Sequence, residues 1–555
     1  AGISGPKLEE LFPGILTGLD IDLIQKVKLQ DRIVPPHVLW STVVPRVMAS
    51  NNWVISGAKT ASGKPILAND PHLEVNRLPN VWYELVLETE KRYVIGATMP
   101  GLPGMLIGRT PDLAWGATYT FMDSVDSWIE KCKAGQFYYK KQWHDFKQRK
   151  ELIKRKKKSD VEIVFFENDH GVLDGDPYRT GYYLSTLWSG AHSGATSINQ
   201  IVSMLAAQNV QQGMDILGQL ETSWNWLLAD QQGNIGYQMS GLMPIRREDC
   251  SGFVPLPGWD PENDWHGFVH HEDLPRCYNP EQGYLTTANQ DLNHFSIVKP
   301  INLPMGPYRA DRISELLAQG DNFSIEDMFP IQYDVYSRQA EAYLNILRAL
   351  LPASTGAAIL KKWDCRYTPQ SQGAYLFEQF YSALFQEVFG KHGVGVDVVT
   401  HLFSETGIMS DFYLNFDRIL LASQSQWFDG EDRDTLYSRV LTRILDKPFL
   451  TWGERQQVML SNILLGGKVP RILGFDRGPL TLRGGRATIN QGQIYKSAGR
   501  TTTFAPSFRT VTDMARDECF TNMAGGPSDR RFSKWYCSDL KHWRTGEYKR
   551  LSPGD

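Results

Sequence analysis

The chain reads as an α+β protein built from layers, with short strands at both ends and a long helical stretch between them. Three observations carry that reading. Closely spaced apolar runs broken by turn residues follow Trp53, residues 370–445 keep a mostly helical pattern, and residues 480–510 return to strand. The 16 Trp and 23 Tyr suit β-rich structure and aromatic-lined pockets.

Residues 1–49 differ from the rest of the chain. Leu8 to Phe12 and Ile21 to Leu29 suggest helical pieces, and Pro35-Pro36 and Pro45 then break the pattern, as a tail, spacer or small packed arm would. From Trp53 onward the spacing predicts antiparallel strands. Trp53–Ser56 and Pro65–Ala68 flank a turn at Ser62-Gly63-Lys64. Val81–Leu87 with Arg92–Ala97, and then Met105–Ile107 with Leu113–Trp115, continue the series. Trp226–Ala229 and Ile235–Gln238 form a later hairpin. Helices are expected over Ser197–Ala207, Val210–Leu220 and, apart from Pro330, Ser324–Leu351, where Ser324-Ile325-Glu326-Asp327 resembles a capping box.

A chain of 555 residues with 42% hydrophobic content and a net charge of -4 has the bulk properties of a soluble protein with a large core. That charge gives no reason to expect nucleic acid or an anionic membrane as partner. No run of about 18 apolar residues suggests a membrane span. Ala1 has the look of a processed or trimmed end. The six cysteines contain no C-x-x-C, which argues against a zinc or dithiol site, and Cys519 with Cys537 is a candidate disulfide.

Several local signals fail on spacing. Gly57–Lys64 is one residue too long for a phosphate loop and has Pro65 where Ser or Thr is required. His270-His271-Glu272 lacks the helical spacing that puts two imidazoles on one metal. No G-x-S-x-G elbow occurs. The basic run Lys154–Lys158 sits between Leu152-Ile153 and Val161–Phe166, as on an edge hairpin whose lysines discourage strand pairing.

Ser50 is different. A serine is a weak nucleophile without a base beside it, but a serine at a chain's N-terminus carries its own base, an α-amine of pKa about 7.7–8.0. Ser50 is internal, so that chemistry requires the Ala49–Ser50 bond to be cut first. The segments Ser50-Asn51-Asn52-Trp53, Asn69-Asp70-Pro71-His72, Pro100–Gly104, Ala114–Thr118, Asn225-Trp226 with Asn234–Tyr237, Gly283-Tyr284 with Ala288-Asn289, Tyr308–Arg312 and Phe504–Arg509 occur in order across the chain. Together they resemble the penicillin acylases of the N-terminal-nucleophile hydrolase superfamily.

The resemblance implies an αββα sandwich, two antiparallel sheets covered by helices. It also implies a precursor that cuts itself into an α chain and a β chain. Ser50 would begin a β chain of residues 50–555, and residues 1–49 would be the α chain's end or a spacer. Asn289 matches the side-chain oxyanion donor, and Tyr119 the residue whose backbone N–H supplies the second donor. His72 maps to the position that contacts the N-terminal amine, where histidine is similar to the cephalosporin acylase and acyl-homoserine-lactone acylase branch. Arg312 matches an arginine near the active-site Asn, with Arg309 as rival and an ion pair with Asp311 or Glu315 as its plain structural explanation. Asp123, Val125 and Asp126 fall where relatives bind a structural calcium. No cofactor is expected for catalysis.

Arg109 and Ala49 depart from the commoner Gly-His-Asn and Gly of relatives. The expected protein is a periplasmic or secreted heterodimer with its own α chain, acting on a small N-acyl amide such as an acylated homoserine lactone or β-lactam. The rivals are an unprocessed, non-hydrolytic family member serving as a binding or structural subunit, and a serine protease with a conventional triad.

Overall fold

The computed structural model describes residues 3–29, 47–405, 412–445, 447–497 and 500–554. Its centre is the strand Val47–Ile55, paired antiparallel with Ile66–Glu74 on one side and Tyr284–Thr287 on the other. Strands Phe508–Asp513, Cys519–Met523 and Lys549–Leu551 extend this first sheet. A second, seven-stranded antiparallel sheet contains Leu113–Tyr119, Trp224–Asp230 and Ile235–Ser240, and packs face to face with it.

Side-chain alternation decides which layer each residue meets. Val54 and Leu67 join Ala114, Leu227 and Tyr237 between the sheets. Trp53, Ile55, Ile66 and Ala68 point the other way, onto Ile313, Leu317 and Met328 of the helices Tyr308–Ala318 and Met328–Gln332. Met214 and Leu217 of the helix Val210–Gly218 cover the second sheet. The result is the four-layer αββα sandwich. Gly116 keeps the layers close, since a Cβ there would stand 2.8 Å from Asn52 Oδ1 and 2.9 Å from Asn69 Cβ. Trp53 is wholly buried, so Trp53→Ala would cost about 3–5 kcal/mol.

A helical body packs beside the sandwich, from Arg338–Leu350 through Arg433–Leu445, around one apolar cluster. At its heart the buried Asp417 accepts from Tyr343 Oη (2.8 Å), Tyr381 Oη (2.9 Å), Gln339 Nε2 (2.6 Å) and Tyr308 Oη (3.0 Å). The short helix Gly5–Leu11 docks on this body, with its backbone accepting from Trp427 Nε1 at 3.0 Å and Asn415 Nδ2 at 2.8 Å. A third sheet, spanning Val125–Lys133 to Gly181–Trp188, stands apart, with Lys147–Ile153 at its edge. The basic run Lys154–Lys158 forms the turn beyond that edge strand.

Two expectations are corrected. Ser324–Leu351 is not one helix: Met328–Gln332 and Arg338–Leu350 are separate, the second capped by Ser337 onto Ala340 N. Ser324 instead closes a local turn on Asp327, and the capping box lies at Thr451 and Glu454. Cys519 and Cys537 are both free thiols. They sit in different clusters, Cys519 with Tyr93 and Ile95, and Cys537 against Val75 and Leu78. Pro35, Pro36 and Pro45 lie outside the described residues.

Candidate active site

The strand Val47–Ile55 runs unbroken through the Ala49–Ser50 bond, and both residues are buried. Ser50 Oγ donates to the Ala49 carbonyl oxygen at 2.5 Å, and Ser50 N–H donates to Asn289 Oδ1 at 2.8 Å. Asn289 follows the strand Tyr284–Thr287 with φ 68°, a left-handed conformation that Asn tolerates better than most residues. Its Nδ2 donates to the Tyr119 carbonyl at 2.7 Å, so one amide ties Ser50 to the last residue of Leu113–Tyr119.

Arg309 organises the other side. Fully buried, it donates to Ser50 O (2.7 Å), Asn51 Oδ1 (2.6 Å), Ala288 O (2.7 Å) and Asn289 Oδ1 (2.8 Å). Burial lowers its pKa, partly offset by Tyr413 and Asp70. Arg312 lies elsewhere: it pairs with Asp334 at 2.8 Å and Glu315 at 3.1 Å. Three residues apart on one helix, the two arginines are separated by burial, since only Arg309 faces the strand that carries Ser50. The structural ion pair is therefore what Arg312 makes here.

Alternation also decides His72. Ala49 pairs with His72 and Ser50 with Pro71, so the imidazole shares its face with Asn51 and Asp70, opposite the Ser50 side chain. His72 Nδ1 meets Gln491 Oε1 at 2.9 Å, and Nε2 lies 3.2 Å from both Asn51 Nδ2 and Asp70 Oδ2. Burial lowers its pKa below the ordinary value, with Asp70 opposing and Arg309 adding to the effect. Gln491 Oε1 and Asp70 Oδ2 both only accept, so each ring nitrogen faces an acceptor. The chain His72–Asn51–Arg309 reaches Ser50 and Asn289 from behind.

Sequence reasoning misses Asn51, Asp70 and Gln491 as site residues. Asp70 carries a readable signal, standing two residues before His72 in one strand. Arg109 is buried and donates to Thr512 Oγ1 and the Asp513 carbonyl, both at 3.1 Å, which joins the two sheets.

Asp123 and Asp126 converge, but on Arg246. Its Nε donates to Asp126 Oδ2 at 2.8 Å, and Nη2 donates to the Asp123 carbonyl at 3.0 Å and lies 3.4 Å from Asp123 Oδ1. Asn302 Nδ2 donates to Asp123 Oδ2 at 2.5 Å, and Trp265 Nε1 to Asp126. Val125 stands between them with a half-exposed side chain. A calcium ion at this point has to displace a guanidinium, so this donor set does not fit an open cation site. Burial pushes the Asp123 carboxyl up to about 7 despite Arg246.

The penicillin amidase family model matches residues 6–553. The chain belongs to the penicillin amidase family. Family relatives include the acyl-homoserine lactone acylase QuiP of Pseudomonas fluorescens Pf0-1, 26% identical over 90% of this chain and 65% of its own length. Penicillin acylase 2 proenzyme of Pseudomonas sp. SE83 is 30% identical over 62% of this chain and 46% of its own length. The chain thus spans just under two thirds of the QuiP relative it matches. Among solved structures, the thermostable penicillin G acylase of Alcaligenes faecalis superposes with a TM-score of 0.70 at 20% identity, over 91% of this chain and 96% of that one. This family fold agrees with the four-layer sandwich of the present chain. Among the described residues no helix is long and apolar enough to cross a membrane.

Proposed function

We propose that this chain is the catalytic part of an amidase that cleaves N-acyl amides once its own Ala49–Ser50 bond has been cut. One observation carries the reading: a buried serine hydroxyl lies 2.5 Å from the carbonyl oxygen of the preceding residue, on a strand whose next carbonyl and amide are fixed by Arg309 and Asn289. Ser50 Oγ attacks the Ala49 carbonyl carbon, the C–N bond breaks, and the proton passes to nitrogen. Water hydrolyses the resulting ester, leaving a carboxylate on Ala49 and a free amine on Ser50.

That amine then serves as general base for Oγ, directly or through a water. Oγ attacks the substrate acyl carbon, the protonated amine component leaves, and water releases the acid. Asn289 Nδ2 exchanges its bond to the Tyr119 carbonyl for the developing oxyanion, beside the Tyr119 backbone N–H. His72 acts as a positioning residue through Asn51 and Arg309.

The acylase relatives support acylated homoserine lactones, β-lactams or related N-acyl amines as substrates. By the same resemblance, the mature protein pairs with its α chain in the periplasm or outside the cell. Mass analysis of the full-length protein tests the reading. Wild type should yield a fragment beginning at Ser50, and Ser50→Ala should stay intact and release no amine from a panel of aliphatic and aromatic acyl amides. A wild-type chain that stays intact and inactive supports the rival, a non-hydrolytic binding subunit.

A further inference from the structure

Behind the face that carries His72 and Asp70 lies a cavity of about 620 Å³, bounded by the first sheet and the helix Leu540–Thr545. Among the described residues, four cationic and no acidic side chains line it: Arg509 on the floor, and Arg483, Lys541 and Arg544 around the exposed rim. None of the three rim cations forms an ion pair with a described carboxylate. Like charges gathered around one cavity repel, and an anion between them relieves that repulsion.

The floor is built to hold such a group. Arg509 is 1% exposed, stacks over the Tyr333 ring at 3.9 Å, and is held by Tyr333 Oη at 2.8 Å and Asn490 Oδ1 at 3.2 Å. Its Nε faces Asp70 Oδ1 at 3.8 Å, a buried ion pair in which neither atom has another hydrogen-bond partner. Asn490, 3% exposed, leaves its Nδ2 unpartnered in the same wall. Asn490 Nδ2, a buried donor without an acceptor, gains one when an oxyanion enters the cavity. Trp543, Leu482 and Ala505, all buried, give the wall an apolar part beside the polar Gln370, Thr481 and Gln491.

We propose that this cavity binds a small organic oxyanion, a carboxylate or phosphate carried on an apolar or aromatic body. The oxyanion meets Arg509 and Asn490, the rim cations draw it in, and Trp543 and Leu482 pack its body. The site is separate from the face onto which Ser50 projects. It adjoins the site through Gln491, which lines the cavity and touches His72, and through Arg509, which faces Asp70.

Calorimetric titration of the full-length protein with benzoate, benzamide and inorganic phosphate tests the proposal without depending on the Ser50 chemistry. Benzoate should bind and benzamide, its neutral analogue, should not. The variant R483Q/K541Q/R544Q should keep the wild-type Tm and weaken benzoate binding at least about tenfold. Equal binding of benzoate and benzamide, or unchanged benzoate binding in the rim variant, would overturn the proposal. Phosphate binding as tightly as benzoate would overturn the claim for an apolar body.

Discussion

Two buried histidines, one behind Ser50 and one in the outlying sheet, are held in opposite charge states. Burial lowers the pKa of both. For His72 it wins: its one carboxylate, Asp70, also accepts from Asn51 and lies 3.8 Å from Arg509, while Arg309 repels a second cation. His170 has a carboxylate on each nitrogen, Glu130 at 2.7 Å and Asp264 at 2.9 Å, which raise it to about 9 against its burial. It stacks on Trp128 with ring centroids 4.6 Å apart. The difference follows from how many carboxylates each ring meets and how many arginines compete for them. The outlying sheet uses a charged imidazole as a cross-link, whereas the sandwich keeps its imidazole neutral among arginines.

The largest effect is expected at the arginine that sets the sandwich side of this contrast. Arg309→Met takes a donor from four oxygens, of which Asn289 Oδ1 keeps the Ser50 N–H, and should cost more than about 3 kcal/mol in urea denaturation, with Arg309→Lys recovering only part. Wild-type stability in Arg309→Met would remove the arginine from the account of the site. On the other side, Glu130→Gln should cost about 1.5–3 kcal/mol, and the His170 titration followed by NMR should fall from about 9 toward the ordinary value. A titration that stays put would show that Glu130 does not hold the charge.

Stability across pH sharpens the comparison further. The His170 contribution is complete below the unfolded value of about 6.5 and is lost as pH rises through about 9. The neutral His72 behaves in reverse, with its contribution complete above about 6.5 and lost as pH falls below it. Urea midpoints from pH 5 to 10 should therefore flatten on the alkaline side in His170→Gln and on the acid side in His72→Gln. The smallest effect concerns Asp123 and Asp126, already matched by Arg246. EDTA should leave Tm within about 2 °C of its starting value, and calcium should stabilise Arg246→Ala more than wild type. A large EDTA-induced drop in wild type would show that a metal, rather than the guanidinium, balances the pair.

The strands were legible because apolar runs and turn residues are local signals, as in Trp53–Ser56 and Pro65–Ala68, whereas both faces of these strands are buried and only packing tells the layers apart. Asn289 and Tyr119 were legible only through the family resemblance, since nothing near either one announces a partner in another strand. Arg309 and Arg312 differ by less than one helical turn, and only the packed sheet distinguishes the buried one from the ion-paired one. Gln491 was not legible at all, lying 419 residues from the imidazole it meets. The Cys519–Cys537 pairing failed for a related reason: closeness in sequence said nothing about which cluster each thiol enters. The break between Gln332 and Arg338 was hidden because both flanking segments carry apolar residues at helical spacing.

The central claim is that Ser50 attacks a substrate amide only after it becomes an N-terminus. The most direct measurement is peptide mass analysis of the full-length protein quenched during turnover of a slowly deacylating N-acyl substrate. The expected result is the acyl mass on the peptide that begins at Ser50, with none on chains still joined through Ala49. Acylation or turnover by the uncut chain, or acyl mass on another residue, would contradict it.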